Sequence, residues 1–246
     1  MDAADRRGNM GNKTTAEFSP NIALFRMMAG IIVTWLLIGV LLFGGAGRLD
    51  WKLGWIFFIV WGLFKILFIF MLRWLDPELL VERATRHENT QAYDRWLLPI
   101  YYLMSFGTIL IAALDNGRFQ WSGLVPAAVI VCVYIIYLLG NGLASWAVAS
   151  NPFFSSESRL QADRDQRVTR KGPYQFIRHP AYSASIIFWP ITGLMLGSWW
   201  SVIPGVLAAL MMLIRTVYED RMLVAELDGY AEYAQQVRYR LIPGIW

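Results

Sequence analysis

Four stretches of this chain, residues 22–44, 52–72, 97–115 and 122–149, run for about 20 residues or more with almost no charge. A helix rises about 1.5 Å per residue, so about 20 residues match a hydrocarbon core about 30 Å thick. In lipid the backbone must satisfy its own polar groups, and a helix does so within one segment. Each stretch is therefore expected to be a membrane-crossing helix. Two shorter apolar stretches, 181–197 and 199–214, flank Gly197-Ser198 and read as a tight helical hairpin. The expected fold is all-α: a polytopic membrane protein of about six transmembrane helices, with a C-terminal helical hairpin and a cytoplasmic amphipathic tail.

The charges between the stretches give an orientation. Lys and Arg are retained in short cytoplasmic loops during insertion, and here they collect at or before Arg26, in 73–96, in 150–180 and in 215–246. The opposite loops hold only Arg48, Lys52 and Arg118. An even number of crossings with both termini cytoplasmic follows. Composition agrees, since 57% hydrophobic and 16% charged residues are too apolar for an ordinary soluble domain. The basic residues are scattered rather than striped, which argues against nucleic acid. A single cysteine, Cys132, offers neither a disulfide framework nor a thiolate cluster. The remaining basic residue, Lys65, lies inside the second stretch and reads as a side chain that snorkels to the interface, with a functional intramembrane charge as the other reading.

Three regions follow. Residues 1–20 are polar, carry both signs of charge, lack the pattern of a signal peptide and read as a disordered tail. Residues 21–149 hold the N-terminal transmembrane helices and a loop, 73–96, in which Asp76-Pro77-Glu78 before Leu79, Leu80 and Val81 signals a capped amphipathic helix at the interface. Residues 150–246 gather the polar chemistry. Asn151-Pro152 stops the fourth stretch, Gly172-Pro173 forces a turn, and Pro180 suits the first turn of a helix, where its missing N–H costs nothing. His179 is then held at a helix N-terminus beside Arg178, a place that favours a carboxylate or other anion. Singly, Arg178 reads as a positive anchor and His179 as a cap; those readings leave their grouping with Gly172-Pro173-Tyr174 unexplained. Arg215 and Glu219 are four apart on one helix face and can pair, with Asp220 beside them. His87 is the only other histidine, and no metal-ligand spacing is present.

The ordered set Gly172-Pro173-Tyr174, Arg178-His179-Pro180 and Tyr182, then Arg215, Glu219 and Asp220, then Gly229, Tyr230 and Tyr233, and finally Arg240 and Pro243 resembles the isoprenylcysteine carboxyl methyltransferase and phospholipid methyltransferase group of integral membrane enzymes. The resemblance covers roughly 150–246. Asp76-Pro77-Glu78-Leu79-Leu80 and Asp94-Arg95 also look like bacterial members, which implies a bacterial inner membrane. It implies that 150–246 is an S-adenosylmethionine-binding methyltransferase core at the cytosolic membrane face, closed by the tail, with a small or lipid-embedded methyl acceptor (a carboxylate, amine or thiol), lipid or lipid-like, entering from the bilayer. Gly172, Pro173, Tyr174, Arg178, His179, Tyr182, Glu219 and Asp220 would serve the cofactor, and Arg215 and Glu219 would border the reacting acceptor. The family's usual Glu-Glu pair is here Glu219-Asp220, one methylene shorter at the second acid. No nucleic acid and no metal is expected.

Two other readings remain. NADPH-dependent membrane sterol or steroid reductases also carry an Arg-His-Pro segment, but with Asn before the Tyr, where this chain has Ala181. A non-catalytic transporter would show broken or polar helices at mid-membrane. Gly140-Asn141-Gly142 is the one such point, and helix packing through small residues accounts for it.

Overall fold

The computed structural model describes residues 19–85 and 90–246, and every regular element in them is helical. The tail expected over 1–20 therefore lies, except for Ser19 and Pro20, outside the described residues. In chain order the helices are α1 (Pro20–Gly39, continuing as a wider turn over Val40–Gly44), α2 (Lys52–Leu75), α3 (Pro77–Ala84) and α4 (Asp94–Ala112, continuing over Ala113–Phe119). They are followed by α5 (Ala127–Ser150), α6 (Pro180–Met195), α7 (Val202–Glu226) and α8 (Tyr230–Gln236).

Local chemistry sets the boundaries. Ser19 Oγ accepts from the Ile22 N–H at 3.4 Å and Pro20 opens α1. Asp76 Oδ1 accepts from the Leu79 N–H at 2.8 Å and Pro77 opens α3, the arrangement expected of a carboxylate cap with proline at the first helical position. α3 then buries Leu79 and Leu80 against Ala23, Ile69 and Leu72. Among the described residues, five helical segments are long and apolar enough to cross a membrane: Pro20–Gly44, Lys52–Leu75, Asp94–Phe119, Ala127–Ser150 and Val202–Glu226. The sixth expected crossing, α6, has only 16 residues, about 24 Å of helix. It falls short by length, not by direction, because it runs antiparallel against α7 through the turn at Gly197.

The hairpin packs closely at two glycines. A Cβ on Gly205 would stand 2.6 Å from the Trp189 carbonyl oxygen, and one on Gly193 would strike Ser201. α4 lies against α7 and α5 against α6, while α1, α2 and α3 form a second cluster beside them. The Gly140-Asn141-Gly142 expectation needs correction: a Cβ on Gly140 would make ordinary contact with Ala184 and one on Gly142 would meet nothing. Close packing is carried by the hairpin instead. The outer faces expose large apolar side chains such as Val33, Leu36, Leu63, Leu67, Leu139 and Ile203. Such a continuous apolar surface belongs in lipid. At the end of the bundle holding the α6–α7 turn, buried Asp115 accepts from the Ser122 backbone and hydroxyl and from Ser198 Oγ, tying α4 to the hairpin.

Candidate functional site

The polar residues singled out in the sequence meet at the opposite end, where α2, α5 and α7 finish and α4 and α6 begin. α5 stops at Asn151, whose Oδ1 accepts from the Phe153 N–H (3.0 Å) and from Thr169 Oγ1 (2.9 Å). Gly172 has φ +57° and presses on Ser150 and Trp146 of α5 so closely that no Cβ fits. Tyr174 is buried, and its carbonyl accepts from Tyr233 Oη of α8 at 2.7 Å. Burial pushes the Tyr233 phenol up to about 12, so it remains a donor. Gly172-Pro173-Tyr174 thus fastens the connecting loop to α5 and α8. Of the three, only Tyr174 lines a cavity.

His179 is the residue before the first turn of α6, as expected, but its ring does not cap the helix. It stacks on Tyr182 with ring centroids 5.5 Å apart, with Nε2 3.3 Å from Asp220 Oδ1 and Nδ1 4.0 Å from Glu219 Oε1. The C-terminal tail crosses this point. The N–H groups of Arg178 and His179 donate to the carbonyls of Tyr239 (3.0 Å) and Arg240 (2.9 Å), and Ser183 Oγ donates to that of Leu241 (2.7 Å).

The two adjacent acids have separate surroundings. Asp220 is buried and ringed by donors: Arg178 Nη2 at 3.0 Å, Arg240 Nε at 2.7 Å and Tyr230 Oη at 3.1 Å. Arg178 also donates to the carbonyls of Ala234 and Val237, so it pins the end of α8 to α7. Burial first, and then the Asp220 charge, keeps the Tyr230 phenol well above its usual range and protonated. Glu219 is partly open: Oε2 accepts from Tyr182 Oη (2.6 Å) and Ser158 Oγ (2.7 Å), and among the described residues Oε1 has no hydrogen-bond partner.

Arg215, which the sequence showed could pair with Glu219, forms its salt bridge elsewhere. Its Nε and Nη2 donate to Asp94 of α4, both at 2.9 Å, and Nη2 also reaches the Ser156 carbonyl. Burying a guanidinium is costly unless a well-aligned carboxylate meets it, and bidentate Asp94 does so here. Asp94 also accepts from the Ser158 N–H at 2.7 Å, so Ser158 links this pair to Glu219. Asp94 carried only a weak family likeness in the sequence, and Ser158 carried no signal at all.

Two cavities flank these residues. A narrow cleft of about 90 Å³ is lined by Ser158, Arg178, His179, Tyr182, Glu219 and Tyr230 among others. A cavity of about 600 Å³ opens between the helices, lined largely by apolar groups such as Trp61, Phe106, Leu139, Phe188 and Trp189 and reached by Arg215. Phe154, Ser155, Ala181 and Tyr182 line both. Gly172, Pro173 and Asp220 line neither. Among the described residues no three His, Cys, Asp or Glu side chains group as metal ligands.

Residues 127–227 match the family model described as phospholipid methyltransferase. That stretch runs from α5 to the end of α7 and bears out the resemblance drawn from the Arg178-His179-Pro180 and Glu219-Asp220 motifs. No curated protein matches the chain. The family match, with five helices apt to cross a membrane, supports a membrane methyltransferase.

Proposed function

We propose that the protein transfers a methyl group from S-adenosylmethionine to a lipid or lipid-like carboxylate, amine or thiol at the cytosolic face of the membrane. The observation that carries this reading is the meeting of the two cavities at Tyr182 and Ala181, with Glu219 on the cleft side and Arg215 on the membrane side. Donor and acceptor then approach one another from separate phases. The chemistry of the cleft suits the donor: Glu219 presents Oε1 to a sulfonium or amine, while Tyr174 and Tyr230 offer aromatic walls. S-adenosylmethionine, when bound, supplies a methyl group already activated on its sulfonium.

Little acid–base work is then left to the protein, and alignment accounts for most of the rate. Tyr182 and Ser158 hold Oε2 of Glu219, so Oε1 alone faces the cleft. There it accepts the proton of an amine or thiol acceptor; a carboxylate acceptor needs none removed. Arg215, fixed by Asp94, holds a positive charge on the floor of the junction. Asp220 binds no substrate in this reading. It positions Arg178, His179 and the tail strap. At about 90 Å³ the cleft is below the roughly 300–1,000 Å³ of small-molecule sites, so the strap and the 151–179 loop must part to admit the donor.

Calorimetry on the detergent-purified protein tests the donor. S-adenosylmethionine and S-adenosylhomocysteine are expected to bind saturably, and His179→Ala to weaken both by at least roughly tenfold, the worth of one good polar contact. Binding of NADPH without binding of either would overturn the assignment.

A further inference from the structure

Among the described residues, two cations in the large cavity have no counter-ion. Lys65 of α2 and Arg83 of α3 both line it. The Lys65 ammonium lies 5.6 Å from the Trp61 ring centroid, and among the described residues no carboxylate pairs with it. The Arg83 guanidinium sits against Phe68 and Phe154, at 5.8 and 5.1 Å, and its Nε and Nη1 are enclosed without a hydrogen-bond partner. The fully buried arginines differ. Arg159 has Glu82 at 2.5 Å, Arg178 has Asp220 and Arg215 has Asp94. Burial lowers Arg83 to about 10, which still leaves it charged at neutral pH.

An unpaired charge inside a helical membrane bundle is costly and marks a ligand position. Snorkelling does not account for Lys65, which lies ten residues, about 15 Å, before the end of α2 and opens on the internal cavity. The pair also lies beside the junction of the cavities, because Phe154 both covers Arg83 and lines the two cavities. Neither residue falls within the family-matched stretch 127–227.

We propose that Lys65 and Arg83 form a subsite for the anionic group, phosphate or carboxylate, of an amphipathic acceptor whose apolar chains fill the cavity between α2, α4, α5 and α6. This deepens the methyltransferase reading and rests on it. The cations hold the charged headgroup against Phe154, and its chains lie along Phe106, Leu139 and Phe188.

The test is binding, with no methyl transfer required. Dodecyl phosphate, dodecanoate, dodecanol, dodecylamine and inorganic phosphate are titrated into full-length protein in a neutral maltoside detergent. Dodecyl phosphate or dodecanoate is expected to bind at least roughly tenfold tighter than dodecanol or dodecylamine. Lys65→Met and Arg83→Met should each weaken the anion by about tenfold, as for loss of a charge-assisted contact, and Arg83→Lys should retain most of it. The ligand-free Met variants should melt higher than wild type, since an unpaired charge has gone; were either not to fold, Lys65→Gln and Arg83→Gln serve in its place. Equal affinity for dodecanol, or undiminished anion binding in the double variant, overturns the subsite. Inorganic phosphate competing as well as dodecyl phosphate overturns the amphiphile as its occupant. S-adenosylmethionine binding, measured on the same wild-type sample, separates failure of the donor reading from failure of this one.

Discussion

Glu219 and Asp220 are adjacent on α7, and a helix turns about 100° between neighbours, so one acid faces the cleft while the other faces the core. Their side chains are 18% and 3% exposed, respectively. Asp220→Asn removes the counter-charge of Arg178, which is buried, and of Arg240, which is one-third exposed and contributes less. A loss of about 3–5 kcal/mol is expected, from leaving a buried cation unanswered, read as a lower melting temperature in detergent. Glu219→Gln keeps an oxygen for Tyr182 and Ser158, so its stability should stay within about 1 kcal/mol of wild type. Its turnover on an amine or thiol acceptor should nonetheless fall by about 10²–10⁴, the usual worth of a general base. The reverse pattern, Asp220→Asn folding normally and Glu219→Gln fully active, would exchange the two roles. The sequence made both acids visible as a pair because charge after a long apolar run stands out. It did not show which was buried, since that depends on Arg178 and Arg240 arriving from other segments. The Arg215–Asp94 pair spans 121 positions, and no local pattern connects residues so far apart.

Among the elements, the α6–α7 hairpin decides where the site sits. α6 spans about 24 Å, less than the roughly 30 Å of hydrocarbon, so its first turn, with His179 and Tyr182, is drawn toward the bilayer. That is how one tyrosine lines both a polar cleft and an apolar cavity. The sequence anticipated the hairpin and the start of α6, because Gly197 and Pro180 each impose a conformation. It ended the apolar run of α7 near residue 214 but kept Arg215 and Glu219 on the same helix, which continues to Glu226. Hydropathy falls where charges begin, but Arg, Glu and Met are good helix formers and carry the helix past the apolar run. The glycines of the hairpin provide the test at this scale. Gly205→Ala pushes a methyl group onto the Trp189 carbonyl and must spread α6 from α7, at about 1–3 kcal/mol. Gly142→Ala on α5 meets open space and should be neutral or stabilising by up to about 1 kcal/mol, because alanine favours helix. Thermal melts of the two variants in one detergent compare them directly, and equal losses would mean that the hairpin is not tightly packed.

For the whole molecule, the bilayer is as much a partner as any ligand, and the single cysteine reports on it. Cys132 is exposed on α5, on a surface shared with Ile135 and Leu139. In water that position would react freely; with α5 spanning the membrane it lies in hydrocarbon. A sulfonated, membrane-impermeant maleimide should therefore leave Cys132 unmodified in lipid vesicles and modify it once the protein is unfolded in detergent. Sidedness needs two more probes in a Cys132→Ser background: Leu49→Cys, exposed between α1 and α2, and Arg238→Cys, exposed in the tail. The orientation proposed from the distribution of Lys and Arg would put the tail, the cleft and the strap on the cytosolic side. In intact cells the impermeant reagent should then modify Leu49→Cys and spare Arg238→Cys. The opposite result would turn the cleft outward, away from a cytosolic pool of donor, and with it would fall the proposal that donor and acceptor meet at Tyr182 from cytosol and bilayer.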